Sequence, residues 1–247
     1  MSAIAELAEE RVVEGVYAVA RKRRLRTRGG APYLALELVD SSGRIDARVW
    51  HDVELLEPAP DTDPVALAPA LRRDAYELDG FLDFLAGELV HPGLRAVVAR
   101  VLDDSELRRL LRALPASPNG HHGYAGGLLE HTVGVATICR ETAQLHPRLR
   151  TDLLLGAALL HDVGRTVELV PGPAFAQTAE GKLLGHVHLG LRLVEERAAG
   201  LVTDVRTELL HAIGSHHDAR AARTAEAAVL YHANQLDAVA ATRPVSE

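Results

Sequence analysis

The sequence predicts an α+β chain with two domains, a small N-terminal β module followed by a larger all-α domain. Between residues 11 and 54, apolar and polar side chains alternate, as they do in half-buried strands. After residue 65, apolar residues recur three and four positions apart, which is the helical period. Aromatic residues make up only 4% of the chain, so we expect a helical core of Leu, Val and Ala.

The β module is predicted from three strand-like segments, RVVEGVYAVA, APYLALELVD and RIDARVW. Ser41-Ser42-Gly43 provides turn residues between the second segment and the third. Three short strands joined by turns predict a small sheet or barrel, which we expect to occupy residues 1–56.

A linker is predicted where the strand pattern ends, because LEPAPDTDPVA carries three prolines and no periodicity. We expect the linker at residues 57–68 and the all-α domain at residues 69–247. The segments with helical period are 67–89, 94–114, 127–145, 151–163, 183–198, 203–217 and 223–241.

Composition and charge exclude several classes of protein. The net charge is −7, which argues against a protein that is basic throughout. Cys139 is the only cysteine, so the chain can form neither an internal disulfide nor a thiolate cage for a metal. The acidic N-terminal segment is unlike a signal peptide, and no apolar run is long enough to span a membrane. We therefore expect a cytoplasmic protein.

Histidine is the residue whose distribution indicates chemistry. Most of the 13 histidines lie between His121 and His232. Four segments carry them in order along successive predicted helices: HHGYAGGLLEHT with His131, LLLGAALLHDVGR with His161 and Asp162, EGKLLGHVHLG with His186, and LLHAIGSHHD with His216 and His217. A fifth and weaker element is YHANQLDA, with Asn234 and Asp237.

This ordered set of histidines and carboxylates favours a metal site. Imidazole and carboxylate ligands together suit Mn, Fe, Zn or Ni, and side chains from several helices converge in the core of a bundle. A carboxylate beside a histidine can bridge two cations, and two cations can activate water and hold a phosphodiester. Taken alone, His161-Asp162 could instead be a polar helix cap, and His186 or His216 a core or surface histidine.

In these motifs the chain resembles the bacterial YhaM-type 3′→5′ exoribonucleases, which join an OB-type nucleic-acid-binding domain to an HD phosphohydrolase domain. The resemblance extends from Pro118 to Ala238 through HHGYAGGLLEHT, LLHDVGRTVEL, AEGKLLGH and SHH. YLALELVDSSGRIDARVW looks like the middle strands of the OB module. The resemblance therefore implies an OB-like module, cut short after Trp50, followed by an all-α HD-domain helical bundle.

The resemblance also implies roles for single residues. His131, His161 and Asp162 would hold a first metal ion. Asp162 would bridge to a second ion, whose histidine ligands would be His186, His216 and His217.

Three further positions follow from the same motifs. Arg165 stands where the family has a lysine and would grip a substrate phosphate, although a solvated helix end is the alternative. The family motif DxLDA reads NQLDA here, which leaves open whether Asn234 or Asp237 is a ligand. His121 and His122 could line the substrate path.

In an OB-like module, the basic stretch RKRRLRTR would be the loop between the first two strands, where such folds contact nucleic acid. Basic side chains would contact phosphates without reading sequence, and aromatic side chains could stack on bases. The alternative is a solvated turn, with Trp50 in the core. The residues expected to bind nucleic acid are Arg21, Lys22, Arg23, Arg24, Arg26, Arg28, Tyr33 and Trp50.

The resemblance implies a metal-dependent 3′→5′ exoribonuclease that hydrolyses single-stranded RNA, with Asp162 and Arg165 as catalytic residues. Its cofactor would be two divalent ions, Mn foremost, with Fe, Mg, Ni or Zn as alternatives. A shortened OB-like module equally fits a phosphohydrolase of a small nucleotide or cyclic nucleotide. Asn234 at a ligand position fits a non-catalytic nucleic-acid-binding protein. The expected partner is thus single-stranded RNA or a nucleotide, with no membrane, and the oligomeric state stays open.

Overall fold

The computed structural model describes residues 3–9, 12–50, 63–71 and 73–242. The chain divides into two compact units. The first contains the described residues up to Ala70 together with Pro171–Ala176, and the second contains the rest. The first half of the predicted linker, residues 57–62, lies outside the described residues, and the described half contains one 3-10 turn, Pro64–Leu67. None of the described helices is long and apolar enough to cross a membrane.

The first unit contains a three-stranded antiparallel sheet, in the order β1 (Ala18–Arg26), β2 (Pro32–Asp40) and β3 (Gly43–Val49). Asp40 ends β2 and organises the turn, since its carboxylate accepts hydrogen bonds from the backbone N–H groups of Ser42 and Gly43 at 2.8 and 3.1 Å. The described residues of this unit thus supply three strands, where an OB barrel has five.

The predicted position of the first strand was wrong. It was expected at residues 11–20 but lies at Ala18–Arg26, so the basic stretch forms a strand rather than a loop. β1 is an edge strand of the described sheet, and only its first residue, Ala18, is buried. A strand that exposes both faces has no apolar alternation to reveal it, and basic residues are common on sheet edges. Of the predicted basic residues, Arg28 alone falls in the turn that follows.

The second unit is helical, which confirms the predicted order of a β module and an all-α domain. Its helices in the described part of the chain are α1 (Ala75–Gly87), α2 (Pro92–Leu102), α3 (Ser105–Ala113), α4 (Gly127–Leu145), α5 (Thr151–Leu160), α6 (Arg165–Glu168), α7 (Ala179–Arg197), α8 (Thr203–Ser215) and α9 (Ala225–Thr242). Helix α5 is buried at every position from Leu153 to Leu160 and packs against α2, α4, α8 and α9. A helix that is apolar all round forms the centre of a bundle.

Three predicted helices differ from the structure. The segment 67–89 becomes α-helical only at residue 75, where α1 begins. The segment 94–114 is two helices, because the Asp104 carboxylate caps α3 by accepting from the Glu106 and Leu107 N–H groups at 3.1 and 3.2 Å. Helix α7 begins earlier than predicted, at Ala179, and is kinked at Gly185, where φ is 69° and ψ is 161°. Only glycine adopts that conformation readily, and it redirects the chain one residue before His186.

Candidate metal centre

The predicted ligands converge in the core of the helical unit. His161 and Asp162 directly follow α5, the buried central helix, and His216 follows α8. His131 lies in the second turn of α4. These four side chains are at most 3% exposed. The end of α5 therefore places an imidazole and a carboxylate at the centre of the unit.

Two glycines allow the backbone to approach closely around this centre. A Cβ on Gly164 would lie 2.0 Å from the His186 carbonyl oxygen and 2.5 Å from the Gly190 nitrogen. A Cβ on Gly127, at the start of α4, would lie 2.0 Å from the His122 carbonyl oxygen. The glycine of HDVGR thus lets α7 pack directly against the turn after α5, which brings His186 to the site.

Asp162 lies between two groups of histidines, one at each carboxylate oxygen. Its Oδ2 is 3.9 Å from His131 Nε2 and 4.0 Å from His161 Nε2. Its Oδ1 is 3.3 Å from His186 Nε2 and 3.4 Å from His216 Nε2.

We name these groups the first cluster and the second cluster, with Asp162 common to both. The first cluster is His131, His161 and Asp162, and the second cluster is Asp162, His186, His216 and His217. Within each cluster, one ligand atom per residue lies within 4.8 Å of all the others. His217 joins the second cluster through its Nε2, which is 2.9 Å from His186 Nε2.

Hydrogen bonds on the far side of the rings fix which nitrogen faces Asp162. Nδ1 of His161 donates to the Ala158 carbonyl oxygen at 2.8 Å, and Nδ1 of His216 donates to that of Ile213 at 2.5 Å. Because a carbonyl oxygen only accepts, Nδ1 carries the proton in both neutral rings and Nε2 presents a lone pair. Histidine ligands of metals are typically held in this way.

The arrangement of these lone pairs fits a bound cation. His131 Nε2 and His161 Nε2 face each other at 3.2 Å. Asp162 Oδ1 and His216 Nε2 are buried without hydrogen-bond partners. Leaving such groups unpaired in the core is costly, whereas one cation in each cluster would satisfy them. A set of imidazoles with a single carboxylate suits a divalent transition metal.

Desolvation keeps three histidines of the site neutral. Desolvation lowers the pKa of His161 and of His186 to about 3, and that of His217 to about 4. Burial acts to raise the pKa of the Asp162 carboxyl, but Arg165 and the surrounding histidines hold it well below its usual range. At neutral pH these three imidazoles are therefore neutral and the carboxylate is ionised, which are the states in which such groups bind metals.

We expect the metal-free protein to lose stability as the pH falls from about 7 to about 5. Unfolded histidine has a pKa near 6.5 and takes up a proton in this range, whereas folded His161 does not until about pH 3. The unfolded state then binds more protons than the folded state, so the free energy of unfolding falls, by up to about 1.4 kcal/mol per pH unit for His161. Urea denaturation in EDTA at several pH values measures this slope.

His161→Gln should reduce the slope of stability against pH, and His146→Gln, at an exposed position, should not. A wild-type stability that does not change over this range would contradict the argument.

Glu168 is a buried carboxylate at the site that the sequence analysis missed. It is 4% exposed, accepts from Arg165 Nη1 at 2.6 Å and lies 3.6 Å from His186 Nδ1. It thereby holds Arg165 beside Asp162, with Arg165 Nε 3.8 Å from Asp162 Oδ2. In the sequence Glu168 follows Arg165 by three residues, a spacing that places both side chains on one helical turn. That turn, α6, was not predicted.

The two candidate ligands of α9 contact the histidines on the side that faces away from Asp162. Asn234 is 2% exposed and donates from Nδ2 to the His216 carbonyl oxygen at 3.2 Å. Asp237 accepts from His131 Nδ1 at 2.6 Å and hydrogen-bonds to His122 Nε2 at 2.9 Å. Burial acts to raise the pKa of Asp237, but these hydrogen bonds hold it well below its usual range.

The two histidines of the predicted substrate path lie beside the first cluster. The His121 ring packs edge-on against His131, with ring centroids 4.7 Å apart, and its Nε2 is buried without a partner. Desolvation lowers the pKa of His121 to about 4. His122 uses both ring nitrogens in hydrogen bonds, to Tyr124 and Asp237.

The residues expected to bind nucleic acid lie together on the sheet of the first unit. The five basic side chains from Arg21 to Arg26 are exposed along β1. Tyr33 and Trp50 stack with ring centroids 4.8 Å apart, and Trp50 is 56% exposed rather than part of a core. The sheet therefore carries an exposed basic strand, and it also carries an aromatic pair in which Trp50 is exposed and Tyr33 is half-buried.

Comparison with known proteins agrees with this geometry. The family model described as HD domain matches residues 128–239, which contain every residue of both clusters. A shorter match, to the model TraI_2, described as a helicase, covers residues 95–148.

Three relatives share the name 3′-5′ exoribonuclease YhaM. Those of Bacillus licheniformis and Bacillus subtilis are each 26% identical to this chain, over 85% of it and 79% of their own length. That of Oceanobacillus iheyensis is 28% identical, over 83% of this chain and 75% of its own. No solved structure gives a significant match.

Proposed function

We propose that this chain is a YhaM-type HD-domain protein and that it acts as a metal-dependent 3′→5′ exoribonuclease on single-stranded RNA. The observation that carries the proposal is Asp162, with one carboxylate oxygen toward each of two histidine clusters. The names of the relatives supply the substrate and the direction of hydrolysis.

We propose two divalent ions as the cofactor, one for each cluster, with Mn foremost. The predominance of nitrogen ligands favours a transition metal over Mg. When bound, the two cations would supply Lewis acidity, activate a water near neutral pH and stabilise the attacking and leaving oxygens during hydrolysis of the phosphodiester. The hydrogen bonds of Asp237 support a position behind His131 rather than on the metal.

Arg165 is the residue of this chain best placed to hold the scissile phosphate. Glu168 accepts a hydrogen bond from one terminal nitrogen of the Arg165 guanidinium, while Arg165 Nε is buried without a hydrogen-bond partner. The unsatisfied N–H can donate to a phosphate oxygen and stabilise the negative charge that develops there during hydrolysis. Of the two path histidines, His121 has a ring nitrogen left to contact the substrate.

We also propose that the sheet of the first unit contacts the RNA. Exposed basic side chains on β1 would meet phosphates, and the Tyr33–Trp50 pair would stack on bases. Both kinds of contact are independent of sequence, which suits an exonuclease that advances along any strand.

The test is incubation of purified protein with 5′-labelled single-stranded RNA, resolved on a denaturing gel. We expect products that shorten from the 3′ end with Mn, and no products with EDTA or with Asp162→Ala. Arg109→Ala is the matched surface control and should cleave like the wild type, since Arg109 is exposed on α3.

Two outcomes would overturn the proposal. Intact RNA, together with hydrolysis of a nucleoside monophosphate or cyclic nucleotide, would identify a small-nucleotide hydrolase. RNA binding with no hydrolysis of either substrate would identify a non-catalytic binding protein.

A further inference from the structure

We propose that Asp237, supported by His122 and Tyr124, positions the His131 ring for metal binding, and that Gly134 provides the space this carboxylate needs. The inference rests on the proposed function, because His131 is one of the proposed metal ligands. It assigns Asp237 a positioning role through His131, not a place in the coordination shell.

The first observation is the contact on the far side of the His131 ring. His131 is fully buried, and its Nδ1 donates to Asp237 Oδ2 at 2.6 Å. Its other nitrogen, Nε2, is the one that faces His161 and Asp162. A carboxylate that accepts from Nδ1 fixes the tautomer and the ring orientation and makes Nε2 a stronger donor to a metal.

The second observation is a chain of hydrogen bonds behind Asp237. The same oxygen, Oδ2, is 2.9 Å from His122 Nε2, and His122 Nδ1 is 2.9 Å from the Tyr124 hydroxyl. Tyr124 donates to Glu130 Oε2 at 2.5 Å. Glu130 lies on α4 one residue before His131, so the chain ties the Asp237 carboxylate back to the helix that carries the ligand.

The third observation is the glycine that faces this carboxylate. A Cβ on Gly134 would lie 2.2 Å from Asp237 Oδ1 and 3.1 Å from its Cγ. Gly134 is on α4 three residues after His131, and α4 packs against α9, which carries Asp237. Glycine inside a helix costs about 1 kcal/mol relative to alanine. Here its lack of a side chain lets the Asp237 carboxylate reach His131.

A third metal site is the competing interpretation of the same residues. His122, His131 and Asp237 each offer a ligand atom within 4.8 Å of the others. However, His122 Nε2 and His131 Nδ1 both lie at hydrogen-bonding distance from one carboxylate oxygen, Asp237 Oδ2. A metal ion here would also have to be bound by Nδ1 of His131, the nitrogen that donates to Asp237. The geometry is that of a hydrogen-bonded carboxylate and histidine.

The experiment measures Co²⁺ binding to purified protein by competition with a chelator, together with the absorption spectrum of the bound Co²⁺. Asp237→Ala should weaken binding at the first cluster by about 10- to 100-fold, the usual effect of losing such a partner. Gly134→Ala should act in the same direction, and both should alter the Co²⁺ spectrum. Asp237→Asn keeps an acceptor oxygen and should recover part of the affinity.

Gly156→Ala is the matched control for a glycine inside a buried helix. Its Cβ would meet Val98 and Leu94 at ordinary distances of 3.9 and 4.0 Å, so affinity and spectrum should not change. If circular dichroism shows Asp237→Ala to be unfolded, His122→Gln takes its place, with a smaller loss expected in the same direction.

The outcomes separate the inference from the function on which it rests. Wild-type affinity and spectrum in folded Asp237→Ala and Gly134→Ala would overturn the positioning role. Three ions bound to wild type and two to Asp237→Ala would support the third metal site instead. A wild-type protein that binds no Co²⁺ or Mn²⁺ would overturn the proposed function itself.

Discussion

Replacing Asp162 by asparagine should abolish RNA hydrolysis and release metal from both clusters at once. Each carboxylate oxygen faces a different cluster, and asparagine keeps one oxygen but loses the negative charge and turns the other oxygen into a donor. Loss of several kcal/mol of transition-state stabilisation corresponds to a fall in rate of at least about 10³-fold.

The measurement combines single-turnover RNA hydrolysis, metal content and thermal unfolding with and without Mn. Mn at a hundred times its Kd should stabilise the wild type by about 2.7 kcal/mol per site, and should leave Asp162→Asn unchanged. Asp204→Asn, at an exposed acid on α8, is the control and should respond to Mn like the wild type. An Asp162→Asn protein that retained two ions would show that the carboxylate is not shared.

The second large effect is expected from Gly164→Ala. The added Cβ would lie 2.0 Å from the His186 carbonyl oxygen and 2.5 Å from the Gly190 nitrogen, and both are backbone atoms of α7. A side-chain tip could rotate away, but these atoms can move only if α7 shifts, which would carry His186 away from Asp162. We expect the free energy of unfolding to fall by about 1–3 kcal/mol. We also expect the protein to lose the second metal ion and its RNA hydrolysis.

Urea denaturation and metal content test this prediction against Gly80→Ala. A Cβ on Gly80, in α1, would meet nothing within 4 Å, so alanine there should stabilise the protein by about 0.5–1 kcal/mol. A Gly164→Ala protein as stable as the wild type and loaded with two ions would show that α7 adjusts without cost.

The cluster residues that follow helix ends could be located from local patterns in the sequence. His161-Asp162 ends a continuous apolar run, which is the pattern of a central buried helix, and the run is indeed α5. His216 likewise stands at the end of an amphipathic segment that forms α8. Residues at helix ends can be located from the spacing of apolar residues in the sequence. Packing of the helices in the bundle then brings these ends together.

The residues that support the ligands could not be predicted, because their partners are distant in the sequence or belong to no periodic element. Asp237 contacts His131 across more than a hundred residues, and no spacing records that contact. Glu168 lies on a single helical turn, too short to produce a period. β1 was displaced in the prediction for a related reason, since a strand exposed on both faces has no apolar face to alternate.

The difference in burial between the two clusters has a kinetic consequence. Every residue of the first cluster is buried, whereas His217 of the second cluster is exposed. An ion held by the first cluster would exchange slowly, because its ligands are buried and would separate only on local opening of the packed core, which is rare. An ion held beside His217 would exchange directly with solvent. The first ion would then stay bound for most of the lifetime of the protein. The occupancy of the second cluster, and with it the rate of hydrolysis, would follow the free metal concentration around the protein.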